Sequence, residues 1–429
     1  MGEQQEGPNA SVLTVNNSGN DDATSEKVLS NPDFPDGGFR AWLVIAGTMA
    51  SAISTFGYVN AWGVFQAYYQ ETLLKDVPPS NIAWIGSVQY SLVFLPGLVV
   101  GRLFDIGYFR VPFFAASVLL VLSTFLVSIC TQYWHFLLCQ GIATGIACGM
   151  LFTPTLGVIG HWFNKRRGLA LGVNAMGSSI GGTIFPIATH KLIPMVGFPW
   201  TMRICGFILL FTLGFANLTI VRRLPAKNVK GGLFNPQAFR SAPFTVYCLS
   251  GFVSFLGLYT VLTYIDISSV EAGISPEFSF YLVSIANGFS ALGRLAGGIG
   301  SDRIGALNVL IPMTLIAAGM TFAWPFAHTK ASIIVVAAVY GVVSGTYVST
   351  YPIPVIALGD VADIGRRTGM ALTIAAAGAL AGPPISGAIN TATGGFKAVG
   401  FYAGGTVLLS VLLMIITRQL KLRSLWGKI

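Results

Sequence analysis

The sequence predicts an all-α membrane protein of twelve spanning helices, built as two six-helix halves. Three observations support this. Of 429 residues, 53% are hydrophobic and only 10% charged, where soluble domains carry about 25% charged residues. Apolar stretches near the roughly 20 residues a membrane helix needs recur twelve times along the chain. Two motifs also return at offsets of 197 and 201 residues, as expected of a duplicated half.

Taken in order, residues 1–38 are polar and lack an apolar targeting core, and they read as a disordered cytosolic tail. The spans follow at about 41–69, 82–101, 111–131, 134–159, 169–190 and 199–221, giving an N-terminal half over 39–221. A basic linker over 222–242 leads to spans at 243–265, 278–300, 307–327, 332–356, 368–390 and 395–417, giving a C-terminal half over 243–417. Residues 418–429 form a second cytosolic tail. An even number of spans places both ends on one side. Nineteen of the 25 Lys and Arg residues fall on the loops and tails of that side, against five on the other, so it is expected to be cytosolic. The net charge of +9 is thus a topology signal, and with the basic residues scattered over short loops no nucleic-acid partner is expected.

The repeat sets KRRGLALGVNAMGSSIGG (165–182) against RRTGMALTIAAAGALAGP (366–383), so that Gly168 meets Gly369 and Gly181 meets Gly382. It also sets Gly101 and Asp105, spaced GxxxD, against Gly298 and Asp302. Paired halves of this kind bracket a midplane cavity and rock about it in alternating access. Gly177, Gly181 and Gly182 are expected to let the fifth helix pack closely on a neighbour.

Polar residues inside spans are the candidates for lining such a cavity. Arg294, in SALGRLAGGIG (290–300), is the one full charge between Phe278 and Gly300. A charge at bilayer depth costs about 2.5–3.5 kcal/mol on insertion scales, which marks Arg294 for a functional role. A guanidinium grips a carboxylate with two parallel bonds and does not lose its proton, so an anion anchor is the natural reading. Asn287, Ser290 and Arg294, at i, i+3 and i+7, share one helix face. Tyr58 and Asn60 in the first span, Asn174 in the fifth and Tyr347 in the tenth complete the set, while Gln89 and Gln140 read as packing residues.

The sixteen acids lie in tails, loops or at span ends, and the four histidines sit at or beyond span ends. No proton relay is therefore placed at mid-membrane, and any proton is expected to travel with the substrate. Asp266 is the acid nearest to an exception. The five cysteines show no metal or disulfide spacing, and neither a cofactor nor a catalytic group is expected.

GRLFDIGYFR (101–110) resembles the loop between the second and third helices of the major facilitator superfamily. DGGFRAW (36–42) and WFNKRRGLALGVNAMGSSIG (162–181) resemble the two signatures of its monocarboxylate porter family, and the tail and linker lengths suit fungal members. The likeness covers essentially the whole chain. It implies a secondary transporter for a small organic anion, most simply a carboxylate-bearing metabolite, in a plasma or internal membrane. Efflux of a secondary metabolite and uptake of riboflavin-like cargo by facilitated diffusion are alternatives, and a non-transporting sensor on the same fold is a third. The family's animal members carry a lysine in the first helix and an aspartate four residues before an arginine in the eighth. Here those positions are Asn60, Ser290 and Arg294. The resemblance also implies that Arg102 and Asp105, and likewise Asp302 and Arg303, latch the two halves through charge pairs and helix-end dipoles.

Overall fold

The computed structural model describes residues 34–226, 232–360, 363–424 and 427–428, so most of the expected N-terminal tail lies outside the described residues. Eleven described helices are long and apolar enough to cross a membrane. One, Arg167–Thr219, runs for 53 residues, which at 1.5 Å per residue would be about 80 Å. It is two spans. The backbone breaks at Gly197, where φ is 79° and ψ 161°, a region open essentially to glycine alone. Pro194 and Pro199 flank the break. The expected loop over 191–198 is therefore almost absent: helix continues to the break and resumes directly after it.

The twelve helices are α1 (Phe39–Leu73), α2 (Asn81–Asp105), α3 (Arg110–Val127), α4 (Tyr133–Trp162), α5 (167–196), α6 (198–219), α7 (Ala242–Glu271), α8 (Pro276–Ile304), α9 (Ala306–Phe326), α10 (Lys330–Ala357), α11 (Ile364–Thr393) and α12 (Phe396–Leu422). They form the two six-helix halves. Between α6 and α7, Pro236–Arg240 makes a short 3-10 turn.

Several spans are irregular where function would place a bend. Wide π-turns occupy Ile53–Gly57 and Tyr69–Leu73 in α1 and Leu137–Ala143 in α4. Helix α1 breaks at Asn60 and Ala61, where the Ala61 N–H bonds Tyr58 O at 3.0 Å. Helix α7 breaks at Tyr259 (φ −86°, ψ −10°). Asn60 and Tyr259, at the breaks in the first helix of each half, both reach the central cavity.

Two seams join the halves, and at each the helices touch backbone to backbone. Along α5 and α8, a Cβ on Gly168 would lie 2.3 Å from Gly298 O. Along α2 and α11, one on Gly101 would lie 2.2 Å from Gly365 O. No side chain fits at these crossings, so glycine is obligatory there. Within the N-terminal half, Gly181 meets Gly57 of α1 in the same way, with a Cβ only 2.7 Å from its Cα.

The chain ahead of α1 is tied down by one residue. Asp36 Oδ1 accepts the backbone N–H groups of Asn164 and Lys165, both at 2.7 Å, and of Arg166 at 3.2 Å, while the Asp36 N–H bonds Trp162 O. DGGFRAW and WFNKRRG are thus one clasp, 128 residues apart in sequence. The five cysteines are free thiols, four of them buried in helix packing.

Candidate functional site

At the end of the bundle carrying Asp105 and Asp302, both carboxylates cross a seam. Asp302, on α8, accepts the N–H of Gly168 at 2.6 Å and of Leu169 at 2.8 Å, at the start of α5. Asp105, on α2, accepts those of Gly365 at 2.9 Å and Arg366 at 2.8 Å, at the start of α11. Each acid therefore caps the N-terminus of a helix in the other half. There it satisfies N–H groups the helix cannot pair itself and meets the positive end of the helix dipole.

Of the charge pairs and helix-end dipoles that the resemblance implies here, these contacts are of the helix-end kind. Both carboxylates bond main-chain N–H groups, which the close glycine contacts bring within reach. Arg303 is exposed, and Arg102 is buried on α2. Arg366 pairs instead with Asp363 at 2.5 Å, and Asn235 of the linker donates to the same carboxylate at 2.7 Å. Arg222, just beyond α6, donates to Asp105 O at 3.2 Å. Burial pulls its pKa below the ordinary arginine value, and the Asp105 charge opposes that shift.

The central cavity lies between the halves. Its wall includes Asn60, Asn174, Ser178, Asn287, Ser290 and Arg294. Phe56, Tyr90 and Phe152 of the first half and Tyr259 of the second supply aromatic faces. Among the described residues, Arg294 is its one charged residue, and the wall holds no carboxylate and no imidazole. The free volume is about 80 Å³, enough for several waters. An organic molecule enters only if the walls part.

Arg294 is 7% exposed. Its Nε donates to Ser290 Oγ at 3.0 Å, and its Nη1 donates to Ala175 O at 2.5 Å and to Ser178 Oγ. All three acceptors are neutral, and two belong to α5 in the opposite half. The Nη2 group has no partner among the described residues. The charge is held in place without being neutralised, which is the electrostatic condition for recruiting an anion. Arg294 does not reach toward the water, and the nearby Asp302 is engaged with α5.

The other expected site residues divide into two groups. Asn60, Asn174, Asn287 and Ser290 all line the cavity with Arg294. Asn60 Oδ1 accepts from the Tyr90 hydroxyl at 2.8 Å, and Asn287 Nδ2 donates to Gly182 O at 3.2 Å across the α5–α8 seam. Tyr58 and Tyr347 do not line it. Tyr58 is packed edge-on against Phe185 inside the first half, and Tyr347 stacks on Tyr351 inside the second. Sequence reasoning did not single out Tyr90, Tyr259 or Ser178. The first two are aromatics in apolar runs, where nothing local separates a wall from a core position. Ser178 sits four residues after Asn174, on the same face of α5, and that spacing was available as a signal.

Comparison with known proteins agrees with this architecture. The family model described as Major Facilitator Superfamily matches residues 47–362. An MFS-type transporter of Ophiocordyceps is 39% identical over 389 residues, covering 90% of this chain and 86% of its own. The aspyridones efflux protein of Emericella nidulans is 38% identical over 384 residues, covering 89% and 78%. Among solved structures, the fucose:proton symporter of E. coli superposes with a TM-score of 0.70 at 14% identity, covering 88% of this chain and 98% of its own. A human organic anion transporter superposes at 0.69 with 15% identity, covering 87% and 98%. At such identities these two likenesses speak for the fold alone.

Proposed function

The chain belongs to the major facilitator superfamily, and we propose that it is a secondary transporter exporting a small organic anion by alternating access. The observation that carries the anion is Arg294, buried, fixed by three neutral acceptors and uncompensated at the wall of the central cavity. Support for export comes from the relatives, one of which is named as an efflux protein. That favours release of a secondary metabolite over uptake of a simple carboxylate. Within the superfamily, the monocarboxylate porter resemblance at residues 36–42 and 162–181 remains our subfamily assignment.

In this reading the Asp105 and Asp302 end faces the cytosol, as the distribution of basic residues requires. The two capped seams hold that end closed, and rocking the halves breaks both. The cargo then binds Nη2 of Arg294 from the cytosolic side and leaves on the other. With no acid or imidazole in the wall, protons cross only as part of the cargo. The plasma membrane is the natural location for such an exporter.

Reconstituted vesicles test this with a panel of labelled aryl and alkyl carboxylates and their uncharged amides, over protein-free controls. Carboxylate flux should exceed amide flux, and Arg294→Lys should lower it at least tenfold, since an ammonium cannot hold three fixed acceptors and still present a planar fork. Equal flux in Arg294→Lys would remove Arg294 from the site.

A further inference from the structure

A second unsatisfied group shares the cavity with Arg294. Asn174, on α5, lines the wall and is 3% exposed, and its Oδ1 has no hydrogen-bond partner among the described residues. An unpaired buried carbonyl costs about 1–3 kcal/mol, so native structures rarely leave one without a purpose. Asn60 and Asn287, the other two carboxamides of the wall, each have a protein partner. Asn174 is the exception. It also precedes Ala175, whose carbonyl holds Nη1 of Arg294. A free anion-binding N–H pair and a free acceptor are thereby set on adjoining parts of one wall.

Resting on the anion reading above, we propose that the cargo is an acid carrying an O–H or N–H donor beside its anionic group, such as a hydroxy acid, an acylamino acid or an enolic acid. Arg294 Nη2 takes the anion and Asn174 Oδ1 takes the donor. A plain monocarboxylate satisfies the first and leaves the second orphaned. The site then discriminates by the penalty of an unpaired buried acceptor, the most effective form of selection available to a polar pocket. The faces of Phe56 and Phe152 beside this wall suit an aryl body.

Three probes of nearly equal size separate the terms: mandelate, its O-methyl ether and phenylacetate. Protein-dependent flux at neutral pH should favour mandelate over both others by tenfold or more. In Asn174→Ala that preference should fall to within twofold, and Asn174→Ser, which keeps an acceptor, should retain part of it. Phenylacetate flux that depends on Arg294, with no advantage for mandelate, overturns the donor assignment and leaves the anion reading intact. A mandelate preference that persists in Asn174→Ala also overturns it. Flux of none of the three overturns both readings. If Asn174→Ala fails to fold, the ratio of the three probes in the unaltered protein decides.

Discussion

Asp302 shows how much one carboxylate can do when its partners are main-chain groups. It satisfies two N–H groups of α5 and places a full negative charge at that helix's N-terminus. Such a charge contributes about 0.3–2 kcal/mol, and loss of a charge-assisted bond costs about as much again. Asp302→Asn keeps the shape and removes the charge, so the closed seam should weaken about tenfold relative to the open one. Leu171, buried on α5 at the cavity wall, offers the readout: a cysteine there should react with maleimide about ten times faster in Asp302→Asn. Arg303→Gln is the companion control, because Arg303 is exposed; its effect should stay within twofold. A change in Arg303→Gln equal to that in Asp302→Asn would assign Arg303 the latch role that the family resemblance implies.

Among the helices, the consequences follow from how closely the backbones approach. Adding the two γ-methyls of valine at Gly298 forces α5 and α8 apart, since even a Cβ meets Gly168 O at 2.3 Å. Gly298→Val should therefore lower flux more than tenfold by keeping the seam open. Gly214→Ala, with nothing within 4 Å of the new methyl, should leave flux within twofold. Gly197 bears on stability: a side chain in that backbone region costs about 1–3 kcal/mol. Gly197→Ala should accordingly lower the melting temperature in detergent while Gly214→Ala does not. An unchanged melting temperature in Gly197→Ala would mean that the α5–α6 connection tolerates a different bend.

For the whole molecule the open question is energy coupling. Among the described residues, the cavity wall holds one positive charge and no carboxylate or imidazole. Asp266 lies in the second segment of α7, and its carboxylate accepts from the Ser279 hydroxyl at the start of α8. A permanently charged probe such as benzenesulfonate should then cross at a rate indifferent to a pH gradient, because neither probe nor wall can carry the proton. Accumulation of benzenesulfonate driven by that gradient would show that a side chain does carry it, and Asp266→Asn would identify which. The 80 Å³ cavity is too small for any of these probes, so transport of each requires the seams to open.

Span number, half-repeat and the face bearing Asn287, Ser290 and Arg294 were all legible in the chain, because hydropathy and helical spacing are local properties. A run of apolar residues dictates a span wherever its neighbours lie. The fused α5–α6 connection was misread as a loop, since prolines and a glycine near 194–199 signal a break without saying how sharp it is. Partnership is another matter. Asp105 finds the N–H of Gly365 across 260 residues, and Asp36 finds the loop before α5 across 128. Tyr58 and Tyr347 were indistinguishable from wall residues until packing turned them into the two halves. Which buried polar atom is satisfied and which is left for a ligand depends on where every neighbour comes to rest, and that is why Asn174 and Nη2 of Arg294 became visible only in three dimensions.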